Sequence, residues 1–217
     1  MAGTTPSPDL RTARLEVGLD FANTLEHSKD DDREHLPDGA ALLAWLIEHE
    51  VMPPPIDGHA TEQELRAADE ALGRARRLRF AIRALVEALV ERREPDDQVV
   101  SELDTWLRRP GGLRLIVDAT GIRVVPTADQ APVREALSHL ALAVAQGIAD
   151  GDPRRLRICD NHACRWLFYD TSRPGTRRWC DMTVCGNRAK AKRHRERARA
   201  IADQAEHGPM DAAAMRS

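Results

Sequence analysis

Four cysteines, Cys159, Cys164, Cys180 and Cys185, fall in one short stretch of a 217-residue chain that has no others. Their pattern is C-x4-C-x15-C-x4-C, two close pairs joined by a loop. Two such pairs deliver four thiolates to one tetrahedral ion, each pair on a turn and the loop folding the second turn back onto the first. Zinc suits the set because it is redox-inert and satisfied by four sulfurs at about 2.3 Å. The other cysteine chemistries fit less well. Two disulfides need an oxidising compartment, and the N-terminal MAGTTPSPDLRTARLEV lacks the apolar segment and cleavage site of a secretory signal. Redox catalysis favours C-x-x-C, which is absent. Four cysteines also fill the coordination shell, so His162 and His194 are not needed and no open position remains for a catalytic water. The expectation is one structural zinc per chain.

Charge points to the same region. The net charge of -3 conceals a split: residues 151–200 hold 14 Lys/Arg against 5 Asp/Glu, whereas residues 1–150 hold 17 against 27. An acidic body with a basic C-terminal segment implies that only the second part meets a polyanion. From Arg188 the chain reads RAKAKRHRERARAIADQ. Arg188, Lys192, Arg195 and Arg199, at spacings of four, three and four, line one face of a helix, and Lys190, Arg193 and Arg197 form what reads as a neighbouring row. Arg173, Arg177 and Arg178, in the loop before Cys180, extend the field. Candidate nucleic-acid contacts are therefore Arg177, Arg178, Arg188, Lys190, Lys192, Arg193, Arg195 and Arg199. The competing reading is a solvated helix or one docked on an acidic surface.

The elements that must position these residues are mostly helical. Apolar residues make up 42% of the chain and charged residues 31%, a globular profile, and aromatics only 4%, which disfavours a large β-sandwich. Helical spacing marks Leu15 to Leu25, then Leu42 to Ile47 with Asp38 as N-cap. Thr61 and Glu64 form a capping-box pattern opening a long helix that carries Leu65, Leu72, Leu78, Ile82, Leu85 and Leu89. A shorter helix follows through Val99, Leu103 and Trp106. Alternation at 113–117 and 122–125 predicts a β-hairpin. A last helix of the body is expected over about 132–149, and Gly151-Asp152-Pro153 breaks it. The fold class is thus predominantly α with a small β-hairpin: a helical N-terminal domain, 1–150, and a small four-cysteine zinc-binding domain, 153–205, with 206–217 as a frayed tail.

Asp20, Asn23, Thr24 and His27 are polar groups on an otherwise apolar helix, where Asp, Asn and Thr are disfavoured. Either a buried hydrogen-bond network or a ligand pocket explains them, so they are the candidate contacts for a small-molecule effector. No nucleophile, phosphate loop or metal triad accompanies them, and no enzyme activity is expected. Trp166, Phe168, Tyr169 and Trp179, half of the eight aromatics, are expected to pack around the zinc site rather than stack on bases.

The run from Arg178 through Cys180 and Cys185-Gly186-Asn187-Arg188 to Lys190 resembles the CGNR zinc finger, and Cys159 to Asp170 is similar to that family's first knuckle and aromatic strand. Leu19-Asp20-Phe21-Ala22-Asn23-Thr24-Leu25 resembles the opening of the ABATE domain, which commonly precedes that finger. The resemblance implies a bacterial, stress-induced transcription regulator whose finger binds DNA. The expected protein is cytoplasmic, has DNA as its partner, takes a small-molecule effector in its N-terminal domain and has no membrane contact. Its homo-oligomeric state is left open. The alternative is a zinc-stabilised protein- or RNA-interaction module without sequence-specific DNA binding.

Overall fold

The computed structural model describes residues 10–26, 32–55, 58–108, 113–118, 121–126 and 132–206. His27 and the tail beyond 206 lie outside them. Helix α1 (Leu10–Ala22) leads through a two-residue strand pair, β1 (Leu25–Glu26) and β2 (Arg33–Glu34), to α2 (Gly39–Glu48). Helices α3 (Glu62–Glu91) and α4 (Asp97–Leu107) follow, then the hairpin β3 (Leu113–Asp118) and β4 (Gly121–Pro126), and α5 (Pro132–Asp150). A second hairpin, β5 (Leu156–Ile158) and β6 (Leu167–Tyr169), a π-helical turn at Met182–Gly186 and α6 (Asn187–Glu206) complete the described residues. Among the described residues, each strand pair is antiparallel and two-stranded.

The helices start where the sequence says they should. Asp38 accepts a hydrogen bond from the Ala41 N–H at the head of α2, and Thr61 with Glu64 makes the full capping box of α3. At about 1.5 Å per residue, the 30 residues of α3 make it the longest strut of the body. Its Ala71, Ala75, Leu78, Ile82 and Val86 are buried, and the core closes around them with Leu15 and Leu19 of α1, Leu42 and Leu46 of α2, Trp106 of α4, and Leu137 and Val144 of α5. Helices α1 and α5 touch through glycine. A Cβ on Gly18 would lie 2.0 Å from Val144 Cγ2, and one on Gly147 would lie 2.6 Å from Leu15 Cβ, so neither position tolerates a side chain.

One expectation needs correction. Helix α1 ends at Ala22, and Asn23 and Thr24 lie in the turn that follows, not on the helix. Their low helix propensity fits that place: Thr24 Oγ1 donates to Phe21 O at the helix end, and the Asn23 side chain bonds Leu167, far along the chain.

The β5–β6 hairpin belongs to two environments at once. Its period-two alternation sends Leu156, Ile158, Leu167 and Tyr169 toward the core of the helical body, whereas Trp166 and Phe168 pack with the cysteines. A three-residue strand pair thus serves as a partition between the body and the cysteine cluster.

Candidate metal centre

The two knuckles are hydrogen-bonded turns, the first closed on a main-chain carbonyl and the second on a side chain. In the first, the Cys164 and Arg165 N–H groups both donate to Asn161 O, at 2.8 and 3.0 Å, and Arg165 takes a left-handed φ of 56° to leave the turn. In the second, the Asp181 carboxylate accepts from the N–H of Thr183 and Val184 and from the Thr183 hydroxyl, winding the π-helical turn that carries Cys185. Gly186 is buried with no left-handed φ, and a Cβ there would approach Met182 Sδ to 3.1 Å. Asn187 is the first residue of α6 and not its cap. Its side-chain amide donates back to Thr183 O at 2.8 Å, so the π-helical turn runs into α6 without a free helix end.

The knuckles bring all four sulfurs within 4.8 Å of one another. Cys164 Sγ lies 3.7 Å from Cys180 Sγ, and Cys180 Sγ lies 3.8 Å from Cys185 Sγ. A tetrahedron of sulfurs about 2.3 Å from a central zinc has edges of about 3.8 Å, whereas a disulfide needs about 2.05 Å. The sulfurs stand where zinc requires them, and all four cysteines are free. Without a cation the crowded thiols cannot all ionise. Hydrogen bonds from Cys164 and Cys180 hold the Cys159 thiol far below its ordinary value, and those same bonds to Cys159 push Cys164 and Cys180 above theirs. A bound divalent ion supplies the charge that lets all four act as thiolates and cross-links the knuckles. Backbone N–H groups of Asn161 and Cys180 point at Cys159, that of Trp166 points at Cys164, and Asn161 Nδ2 lies 3.5 Å from Cys185 Sγ. Such donors orient thiolates and spread their charge.

The site's other residues fall into two groups. Arg177 and Arg178 are partly engaged within the finger. Arg177 donates to Cys180 O and lies over Phe168, while Arg178 pairs with Asp160 at 2.6 Å and lies over Trp179. Asp170, fully buried, ties the loop by accepting from Ser172 and from the Arg177 N–H. Helix α6 packs on the π-helical turn, and every residue from Lys190 to Asp203 is exposed. Among its cations, Lys192 stands 3.8 Å from Glu196.

The finger is joined to the body by a buried hydrogen-bond network, one of the two readings of Asn23 and Thr24, with two α3 arginines as its further members. Asn23 Nδ2 donates to Leu167 O and its Oδ1 accepts from Leu167 N, both at 2.9 Å, so one side chain completes the open edge of β6 as a neighbouring strand would. Arg83 reaches Asn23 Oδ1 at 3.1 Å, Arg165 O at 3.3 Å and Glu87 at 3.2 Å. One turn earlier, Arg79 holds Glu34 in a two-point pair at 2.6 and 2.7 Å and donates to Thr24 Oγ1. Arg79 and Arg83 are 6% and 7% exposed. Their signal was present: both lie on the same α3 stripe as Leu78, Ile82 and Val86, where a charge needs a partner. Asp20, by contrast, has its side chain at the surface; desolvation raises its pKa above the ordinary value, and the nearby His49 offsets only part of that rise.

Residues 155–198 match the family model for the CGNR zinc finger. Residues 15–151 match the ABATE model, whose description is "Putative stress-induced transcription regulator". The chain belongs to the ABATE family. No curated protein matches it. The ABATE body thus accounts for the helical core, and the CGNR finger carries the four-cysteine site for one structural zinc. Neither description is that of an enzyme. Among the described residues, no helix is long and apolar enough to cross a membrane.

Proposed function

We propose that this ABATE protein is a cytoplasmic transcription regulator that binds double-stranded DNA through its CGNR finger, with α6 as the contact element. The observation that carries this reading is the exposure of α6. Seven cations between Arg188 and Arg199 are exposed, with one Glu in the same span, and among the described residues α6 packs chiefly on the π-helical turn at its base. A helix whose charge serves the fold would be paired with carboxylates; this one is left for a polyanion. Zinc, Asp160 and the Asn161 and Asp181 turns hold the helix base rigidly, which is what a recognition element needs. Fluorescence anisotropy of the zinc-loaded full chain on a mixed-sequence duplex tests the reading. Binding that weakens steeply as salt rises supports it, and absence of binding at low salt removes it.

A small-molecule effector in the ABATE body is the second part of the proposal. Asn23 and Thr24 already have their hydrogen bonds made, so the effector is better served by a cleft of about 480 Å³ between α1, the end of α2 and α5. Arg14, His49, Glu50 and His139 border it beside Val17, Leu140 and Leu142, with Arg14 as the fixed cation. That lining suits a small carboxylate with an apolar body. A thermal-shift panel of such carboxylates on the wild type and Arg14→Gln checks it: a rise in Tm that the substitution abolishes is the expected result.

A further inference from the structure

The continuous course of α6 changes what its cations can reach. In a single α-helix from Asn187 to Glu206, each residue advances about 100°. On that wheel the row of Arg188, Lys192, Arg195 and Arg199 and the row of Lys190, Arg193 and Arg197 are not neighbours. Their centres stand roughly 160° apart, on opposite flanks of the helix. The two strips between them differ in kind. One holds Ala189, Glu196, Ala200 and Asp203; Ala189 is half-buried, so this strip faces back toward the finger at the helix base. The other holds Ala191, His194, Ala198, Ile201 and Ala202, all exposed, with no carboxylate among them.

We infer that α6 lies lengthwise in the major groove of B-form DNA. Its two basic flanks grip the phosphates of both strands, and the Ala191–Ala198–Ala202 strip faces the base edges. This rests on the DNA-binding reading above and specifies its geometry. A helix with side chains is about 10–12 Å across, and the major groove of B-DNA is about 12 Å wide, so a helix seated there has a phosphate wall on each side. Cations on one flank alone would track a single strand. Cations on both flanks match two walls. The strip between them is short-chained, which allows deep entry, and its methyl groups suit thymine methyls; His194 is its one polar reader. Glu196 and Asp203 sit on the side turned away from the DNA. The deep, narrow major groove of A-form RNA does not admit a helix, so duplex DNA is the partner that fits.

Two substitutions with the same charge and the same side chain read the orientation. Ala198→Glu places a carboxylate toward the base edges, and Ala200→Glu places it beside Glu196. Both are made in the zinc-loaded full chain, and affinity is measured by anisotropy on a 25-base-pair DNA duplex and on the matching RNA duplex. Ala198→Glu is expected to weaken DNA binding about tenfold or more, and Ala200→Glu to stay within about threefold, because a charge on the far side of the helix is screened over about 10 Å. Charge-neutral glutamine versions of either flank should each flatten the salt dependence. Equal losses from the two Ala→Glu variants, or a flank whose neutralisation changes nothing, overturn the groove geometry while leaving DNA binding intact. Preference for the RNA duplex overturns it as well. A wild-type chain that binds neither duplex overturns the DNA-binding reading itself. Helicity by circular dichroism and one zinc per chain, retained in every variant, keep the comparison on binding.

Discussion

Helices α3 and α6 both carry rows of arginines, yet the two rows meet opposite surroundings. On α3, Arg79 and Arg83 lie within the apolar stripe, and every guanidinium there has a named partner: Glu34, Thr24, Asn23, Glu87 or Arg165 O. On α6 the arginines stand in water with few carboxylates near them. A buried guanidinium is retained only if it is paired, because an uncompensated buried charge is strongly destabilising. An exposed one adds little to stability whether paired or not. The same residue type therefore assembles the molecule in one helix and is free to act on a partner in the other. The CGNR finger spans the division: Asn23, itself bonded by Arg83, holds β6, Arg83 holds the Arg165 carbonyl, and the π-helical turn presents α6 outward.

The largest effect expected is from the metal. Cys159→Ser, or chelation of the wild type, should abolish the single zinc and unfold the knuckles, since binding and folding of a four-cysteine site are coupled. The comparison adds a consequence. Leu167 and the Arg165 carbonyl then no longer hold Asn23 and Arg83, so the melting temperature of the helical body should fall too. Metal analysis with calorimetry checks both, and a body whose Tm ignores zinc would show that the two parts are energetically separate. The same measurement on a 1–150 fragment sharpens the proposed boundary at 151–153: the fragment should fold but melt below the full chain.

Second in size is the grip itself. Arg83→Met keeps the stem and removes the guanidinium, leaving Glu87, Asn23 Oδ1 and the Arg165 carbonyl short of a donor. A loss of about 3 kcal/mol in urea unfolding is expected for a buried charged network broken on one side. Asn23→Ala, which frees the Leu167 N–H and C=O in a buried place, should lose about 2 kcal/mol. Losses near zero would mean that the α3 arginines are no more structural than those of α6.

Much of this division was legible in the sequence, and the remainder was hidden for a physical reason. The cysteine spacing pointed to the metal because knuckles are local. Asp38, and Thr61 with Glu64, marked helix starts because a cap acts over three residues. Asn23 could not be read the same way: its partner, Leu167, is 144 residues away, so the end of α1 is set by a tertiary bond. Arg79 and Arg83 share the buried stripe of Ile82, but their partners Thr24, Glu34, Asn23 and Arg165 lie far along the chain, where no local pattern names them. The second basic row of α6 was misread as adjacent to the first, although the 3.6-residue period places it on the far flank once the helix is known to be unbroken.

A smaller effect comes through pH. Burial raises the Glu34 pKa, but hydrogen bonds from Arg79 and the Leu36 N–H, with the charges of Arg79 and Arg76, outweigh it and leave the group below its ordinary value of 4.5. A carboxylate held low in the folded state contributes stability above its unfolded pKa, and that contribution disappears as pH falls through the folded one. Acid titration of Tm should therefore show an extra decline below about pH 4.5 that Glu34→Gln removes. At neutral pH the substitution should already be less stable than the wild type, because the two-point pair is gone. An unchanged acid limb in Glu34→Gln would place the loss in other carboxylates and detach Arg79 from the structural set.

The smallest expected effect on stability is the one that most sharply separates the two helices. Replacing Arg188, Lys192, Arg195 and Arg199 together by Gln removes four charges from α6, yet unfolding free energy should move by no more than about 0.5 kcal/mol, as for surface changes away from packed contacts. Among the described residues, the substitution removes the weak Lys192–Glu196 pair, at 3.8 Å and well exposed on both sides. DNA affinity should respond in the opposite way. Each phosphate contact removed lowers the slope of log K against log salt by about 0.9, so four contacts flatten it by roughly 3.6. Urea melts and salt-dependent anisotropy on the same zinc-loaded preparation read both quantities. If the quadruple variant instead unfolds as readily as Arg83→Met while its salt slope stays put, α6 is a structural helix docked on acidic surface, and its arginines do the same work as those of α3.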